Sequence, residues 1–241
     1  MNAMLFVGGW EGHAPSDFAD WATQLLQEEG FTVTVMDTLE PLTDPATMRD
    51  VDLIVPIWSS ARSSHQPEFG TITKDQEDGL LRAVEAGTGI AGWHGHMADA
   101  FRDHPTYHFL IGGQFVAHPP GWPDNPVPSD DFTEYRVEIS DPEHPIMAGL
   151  EPFTLRSEQY YLLVDPSNHV LATTTFSGEH LSWIDGTVMP VAWTRRWGAG
   201  RVFYCSIGHT VADLDVASVR TLVRRGLVWA SRHSTKPSSD S

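Results

Sequence analysis

Histidine is the residue type most able to do chemistry in this chain. Twelve histidines occur in 241 residues. Imidazole exchanges protons near neutral pH and ligates metal when neutral. His13, His94 and His209 each adjoin a glycine, in Gly12-His13, His94-Gly95 and Gly208-His209. Glycine lets a backbone turn sharply and come close to a ligand. Glu158 has the chemistry of a general base, of a carboxylate that orients a histidine, or of a metal ligand. His13, His94, Glu158 and His209 are the candidate catalytic residues, the last two singled out by the motifs and the resemblance described below. Arg62, Trp93, His118 and Tyr160 are the candidate substrate-binding residues. A guanidinium donates in pairs to hydroxyls or a carbonyl, and an indole face stacks on the apolar face of a pyranose. The competing reading of the tryptophans is that they cover the edge of the core. His144, in the double-proline turn Asp141-Pro142-Glu143-His144-Pro145, reads as structural. His96 reads either as a site residue or as a helix-start residue facing solvent. No HExxH or other close-spaced ligand pair occurs, so no cofactor follows from spacing and a divalent metal is left open.

These side chains lie far apart in sequence, so the elements between them must bring them together. Apolar runs at 4–7, 31–36, 52–57 and 90–93 read as strands. A helix ending at Glu29 is expected, capped by Ser16 or Asp17, with Phe18, Trp21, Ala22, Leu25 and Leu26 on one face and Gly30 as its stop. A second helix over 73–86 is capped at Thr73, and a short helix precedes the third strand. This alternation predicts an α/β fold, a doubly wound and mostly parallel sheet flanked by helices, with right-handed crossovers. Further strands are expected at 135–139, 170–175, 191–194 and 201–206, with meander-like spacing, and a closing helix at 216–231. Ligands of such sheets bind beyond the carboxyl ends of the strands. The clusters at 8–13, 58–62 and 92–96 each follow a strand there. Residues 118–131 carry five prolines and read as a functional flap. A single domain over 1–233 and a disordered tail over 234–241 are expected.

Composition narrows the partners. The formal net charge is −17, which repels phosphate backbones and anionic membranes, so neither nucleic acid nor membrane is expected as a partner. No apolar run approaches the roughly 20 residues that span a bilayer, and the first residues do not form a signal peptide. A cytoplasmic location and a homodimer are the default expectations. The single cysteine, Cys205, lies in an apolar run and reads as a buried structural thiol.

An ordered series of short motifs resembles the ThuA-like, trehalose-utilisation family. It runs through Gly9-Trp10-Glu11-Gly12-His13, Gly89-Ile90-Ala91-Gly92-Trp93-His94 and Leu110-Ile111-Gly112-Gly113-Gln114-Phe115 with His118-Pro119. It continues through Asp141-Pro142-Glu143-His144-Pro145-Ile146, Ser157-Glu158-Gln159-Tyr160-Tyr161 and Pro190-Val191-Ala192-Trp193. It ends at Gly198-Ala199-Gly200-Arg201-Val202-Phe203-Tyr204 and Gly208-His209-Thr210. The resemblance implies a class I glutamine-amidotransferase-like (flavodoxin-like) fold with extra β segments, and a link to sugar metabolism, in particular to keto-disaccharides or glycosides. Amidotransferases of this fold carry Gly-x-Cys-x-Gly after a central strand. Here Gly92-Trp93-His94-Gly95-His96 takes the similar place, so no glutaminase activity is expected. The acid expected two residues after the catalytic histidine is Val211 here. Three readings follow: an enzyme acting on a sugar, keto-sugar or glycoside by His/Glu acid–base chemistry, a non-catalytic carbohydrate-binding or regulatory domain, and a metal-dependent hydrolase. A small-molecule carbohydrate is the expected partner.

Overall fold

The computed structural model describes residues 1–59, 70–119 and 132–232. The first half alternates strand and helix. β1 (Asn2–Gly9) is followed by α1 (Pro15–Glu28), β2 (Thr32–Met36), α2 (Pro45–Arg49), β3 (Leu53–Ser59), α3 (Lys74–Glu85) and β4 (Gly89–Trp93). α1 buries the expected face, Phe18, Trp21, Ala22, Leu25 and Leu26, but neither Ser16 nor Asp17 caps it. The helix begins at Pro15, after Ala14 in the left-handed region at φ 44° and without a side-chain cap. Proline suits that first position because its fixed φ is already helical and it has no N–H to satisfy. At the other end Gly30 takes φ +80°, and Phe31 N–H closes the last turn onto the Leu26 carbonyl at 2.9 Å, as left-handed C-terminal caps do. α3 starts with a reciprocal capping box between Thr73 and Gln76, which satisfies two otherwise orphaned donors.

β4 runs directly into α4 (His94–Ala98), then come α5 (Pro105–Ile111) and β5 (Gly113–Ala117). The remainder is richer in strand: β6 (Thr133–Ile139), β7 (Phe153–Ser157), β8 (Tyr161–Val164), β9 (His169–Thr175), β10 (Val188–Trp197) and β11 (Gly200–Cys205), closed by α6 (Val211–Leu214) and α7 (Ala217–Ala230). Among the described residues the main sheet has nine strands in the order β2-β1-β3-β4-β11-β10-β9-β6-β7. β2, β1, β3, β4 and β11 are parallel. From β11 outward the pairings through β10, β9, β6 and β7 are antiparallel. The late strands thus extend a parallel half instead of forming a separate body. β5 and β8 pair as a small second sheet.

β3 and β4 are buried along their whole length, as a parallel strand covered on both faces requires. α1 and α7 cover one face, where Phe18, Leu25, Val219 and Leu227 pack on Leu5, Val55 and Phe203. α3, α4 and α5 cover the other, where Leu80, Met97, Tyr107 and Leu110 pack on Ile54, Ile90 and Tyr204. α4 is buried on every side. Its five residues carry no amphipathic period, so sequence spacing does not disclose it as a helix. Among the described residues no helix is long and apolar enough to cross a membrane.

Candidate active site

Five segments end at one edge of this sheet and carry polar side chains inward. β1 ends at Gly9, whose φ of +87° and contact with the Ser59 backbone leave no room for a side chain: a Cβ there would lie 2.0 Å from the Ser59 carbonyl oxygen. Trp10 N–H donates to that carbonyl at 2.6 Å, and one short turn later His13 points into the protein. β4 ends in a sharper turn. His94 takes φ +46°, a left-handed conformation that costs a non-glycine residue roughly 1–3 kcal/mol. Surrounding contacts hold it there: Tyr204 Oη–H donates to the His94 carbonyl at 3.1 Å, and His94 Nδ1 lies 3.0 Å from the Ser206 carbonyl oxygen beyond β11. β11 also leads to His209, β7 to Glu158 and Tyr160, and β5 to His118.

Glu158 sits at the centre. One carboxylate oxygen, Oε2, lies 3.1 Å from His94 Nε2. The other, Oε1, lies 3.0 Å from His209 Nδ1 and 3.8 Å from His118 Nε2. Tyr160 Oη is 2.7 Å from the same His94 Nε2, and its ring stacks on the imidazole at 4.0 Å. His13 closes the group, with its ring 5.4 Å from those of both His94 and His209. One ring nitrogen from each of His13, His94 and His209 lies within 4.8 Å of the other two. A carbonyl can only accept, so His94 carries its proton on Nδ1 toward Ser206, and Nε2 presents a lone pair that accepts the Tyr160 hydroxyl.

The electrostatics follow from burial and crowding. Burial first, then the neighbouring His94 and His209, push His13 down to about 3. Burial also lowers His94, against the opposing pull of Glu158, and lowers His96 strongly. Burial would raise Glu158, but its contact with His209 and the surrounding imidazoles outweigh it and hold the carboxyl far below the usual carboxylate range. Burial pushes the Tyr160 phenol up, so it stays a hydroxyl donor. The site therefore holds an ionised, nearly inaccessible carboxylate ringed by imidazoles and one phenol. Such a set can take a proton from, and return it to, a bound molecule.

The geometry unites His13, His94, His118, Glu158, Tyr160 and His209. Arg62 lies outside the described residues, as do most of the proline-rich flap and the segment expected to be a disordered tail. Trp93 is corrected: it is fully buried and packs on Phe18 and Trp21 in the core, on the face of β4 turned from the site. His96 does not face solvent. It is wholly buried against Phe18, with neither ring nitrogen hydrogen-bonded. His144 packs against Trp229 and His169, away from the cluster. Cys205 is buried inside β11, and burial pushes its thiol up to about 12.

Sequence reasoning missed Asp213. Its Oδ2 accepts from Ser157 Oγ and from Thr210 N–H, both at 2.9 Å. It thereby ties the end of β7, next to Glu158, to the start of α6, next to His209. The signal was the Thr210-x-x-Asp213 capping box. The acid absent two residues after His209 is thus replaced by two acids with separate tasks: Glu158 touches the ring and Asp213 braces the loop.

A parallel half-sheet with helices on both faces, and polar residues converging beyond its strand ends, defines an α/β protein of the class I amidotransferase-like type with a histidine–carboxylate centre. The ThuA family, described as trehalose utilisation, matches residues 2–230, and the chain belongs to it. A ThuA-like protein from Parabacteroides merdae is similar in structure at a TM-score of 0.72 and 18% identity, covering 99% of this chain and 93% of that one. A ThuA-like protein from Bacteroides uniformis gives 0.70 and 19%, covering 95% and 91%. A cytoplasmic protein from Salmonella typhimurium LT2 gives 0.63 and 12%, covering 96% and 100%. No curated protein sequence matches the chain. Membership of the family places the protein in carbohydrate metabolism.

Proposed function

We propose that this protein is an enzyme acting on a sugar or keto-sugar, such as a keto-disaccharide or other oxidised glycoside, by proton transfer at the Glu158 centre. The observation that carries this reading is the contact of both Glu158 oxygens with imidazoles, at 3.1 Å to His94 and 3.0 Å to His209. This carboxylate is shared between the loops that follow β4 and β11, neighbouring strands of the sheet, beside a phenol. A carbonyl acidifies the C–H next to it. The base takes that proton, and the electron pair moves onto the carbonyl oxygen as an enolate. Return of the proton to the former carbonyl carbon, while the hydroxyl proton on the carbon first deprotonated passes to the former carbonyl oxygen, gives isomerisation. Alternatively the enolate collapses and expels the glycosidic oxygen from the next carbon, which leaves with a proton from the acid. Glu158 and the imidazoles supply base and acid, and the Tyr160 hydroxyl is placed to donate to developing oxyanion charge.

Glutaminase chemistry is not part of this reading. His94 occupies the turn after β4, and the buried thiol of Cys205 is the wrong acidity for a nucleophile. The family membership supports the substrate class, and the cytoplasmic Salmonella neighbour supports a cytoplasmic location. The test is turnover of a 3-keto-disaccharide by the protein and by its Glu158→Gln and His94→Ala variants. Loss of turnover in both is expected. Unchanged rates in both would discard the acid–base reading, and sugar binding by calorimetry without product would leave a carbohydrate-binding domain.

A further inference from the structure

From the convergence of three imidazoles beside a buried carboxylate, we infer that His13, His94 and His209 form a binding site for one divalent first-row transition metal, of which Zn²⁺ is the representative probe. The inference rests on the site read above as an acid–base centre and adds to it the ion that this centre holds.

Three observations point to a cation. First, the three histidines offer one nitrogen each within 4.8 Å of the others. Four-coordinate Zn²⁺ with Zn–N bonds of roughly 2.0–2.1 Å sets its ligand nitrogens about 3.3 Å apart. The set is thus open by about 1.5 Å at its widest, within reach of side-chain rotation, since His13 and His209 both sit on turns. Second, His94 is already oriented as a ligand. Its Nδ1 is committed to the Ser206 carbonyl, so Nε2 faces inward with its lone pair, which accepts the Tyr160 hydroxyl at 2.7 Å and which an ion would take over from that rotatable donor. A second-sphere carbonyl on the other nitrogen is the usual way a protein fixes a metal-binding histidine. Third, Glu158 Oε2 is buried without a hydrogen bond and lies 3.1 Å from that Nε2. Two acceptors face each other there, and a cation beside them relieves the repulsion. His13 Nδ1 is likewise buried without a hydrogen bond.

The donor set selects the metal. Imidazole nitrogens suit Zn²⁺ and its transition-metal neighbours, whereas Mg²⁺ and Ca²⁺ require oxygen ligands. Three histidines leave a coordination position for a sugar oxygen, as catalytic rather than structural sites do. Glu158 reaches two of the three histidines and stands beside the ion as the proton-handling carboxylate.

The test uses untagged full-length protein, stripped with chelator and titrated calorimetrically with Zn²⁺ alone, with Mg²⁺ as the contrasting probe. One Zn²⁺ per chain is expected, with no measurable Mg²⁺ binding. His13→Ala and His209→Ala should each weaken Zn²⁺ by 100-fold or more, while His144→Ala, outside the cluster, should not. Co²⁺ loaded into the unmutated protein gives a second readout, because imidazole coordination in a low-symmetry site produces visible d–d absorption. Absence of stoichiometric Zn²⁺ binding, absence of that absorption, or equal affinity in the His13 and His209 variants would overturn the inference. Zn²⁺ binding is measured without sugar, so the two proposals fail separately. Turnover that needs Glu158 in protein that binds no metal would sink only the metal site. Tight Zn²⁺ binding without turnover of any keto-sugar would sink only the enzymatic reading.

Discussion

Gly95→Ala sets local propensity against site packing. Gly95 lies inside α4 without a positive φ, so the backbone accepts alanine. On helix propensity alone the change would stabilise the protein by about 1 kcal/mol. The added Cβ, however, would sit 2.7 Å from His13 Cε1, 3.1 Å from His13 Nδ1 and 3.1 Å from Tyr160 Oη. Carbon atoms in contact prefer about 3.5–4.0 Å, so His13 must retreat by most of an ångström. Overpacking of this kind costs roughly 1–3 kcal/mol, enough to cancel the helix gain and reverse its sign. Misplacing a reacting group by about 1 Å lowers turnover on the order of 100-fold. Denaturant unfolding, keto-disaccharide turnover and Zn²⁺ titration on the same preparation report all three quantities. Gly200→Ala serves as the control, since its Cβ would strike the Val84 carbonyl at 2.2 Å, at the opposite end of the sheet. It should lower stability and leave turnover per folded molecule unchanged. A Gly95→Ala protein more stable than its parent, with wild-type turnover and metal affinity, would refute the packing argument.

Three further outcomes are expected. Tyr160→Phe removes the 2.7 Å hydrogen bond onto His94 Nε2; stability should fall by only about 1 kcal/mol while kcat falls at least tenfold, and equal kcat would deny the phenol its role. Asp213→Ala leaves Ser157 Oγ and Thr210 N–H without their shared acceptor; a loss of about 2–3 kcal/mol together with slower turnover is expected, and Asp213→Asn should recover more stability than activity. Burial raises Asp99 to about 7 from 3.8, against the pull of Arg102. Between those values the folded protein holds a proton that the unfolded chain has released, so stability falls as pH rises across that window, by about 1.4 kcal/mol per unit, and levels off above it. Asp99→Asn removes this slope, so the variant should gain on its parent steadily from pH 5 to 7; a difference independent of pH would show that Asp99 ionises normally.

Much of the fold was legible because strand and helix periods are local. The helical face of α1 and the Thr73 cap of α3 each follow from residues less than a turn or two apart. The site was legible to the extent that glycine marks strand ends: Gly12-His13, His94-Gly95 and Gly208-His209 pointed to three of its members. What could not be read was the direction of a side chain. Trp93 ends β4 and His94 begins α4, yet one faces α1 and the other faces Glu158, and only the turn at His94 decides which. Nor could pairing across the sheet be read. Asp213 and Ser157 are 56 residues apart, and no spacing rule links them. β5 and β8 escaped notice because each is short and Leu163 is exposed, so neither shows a clean alternation.

The position of β11 has a consequence for how this chain can be made and cut. It is the last of the described strands in sequence yet lies between β4 and β10. Until Cys205 at the end of β11 has been made, the apolar edge of β4 has no neighbour, and neither half of the sheet can complete itself. Unpaired apolar edges invite association between chains, so a nascent or C-terminally trimmed molecule is exposed to aggregation at the seam where β4 and β10 should meet. Fragments ending before Gly200 should therefore fail as whole bodies and not merely lose a tail, and any tag or fusion that hinders docking of the final strand will act on the middle of the protein.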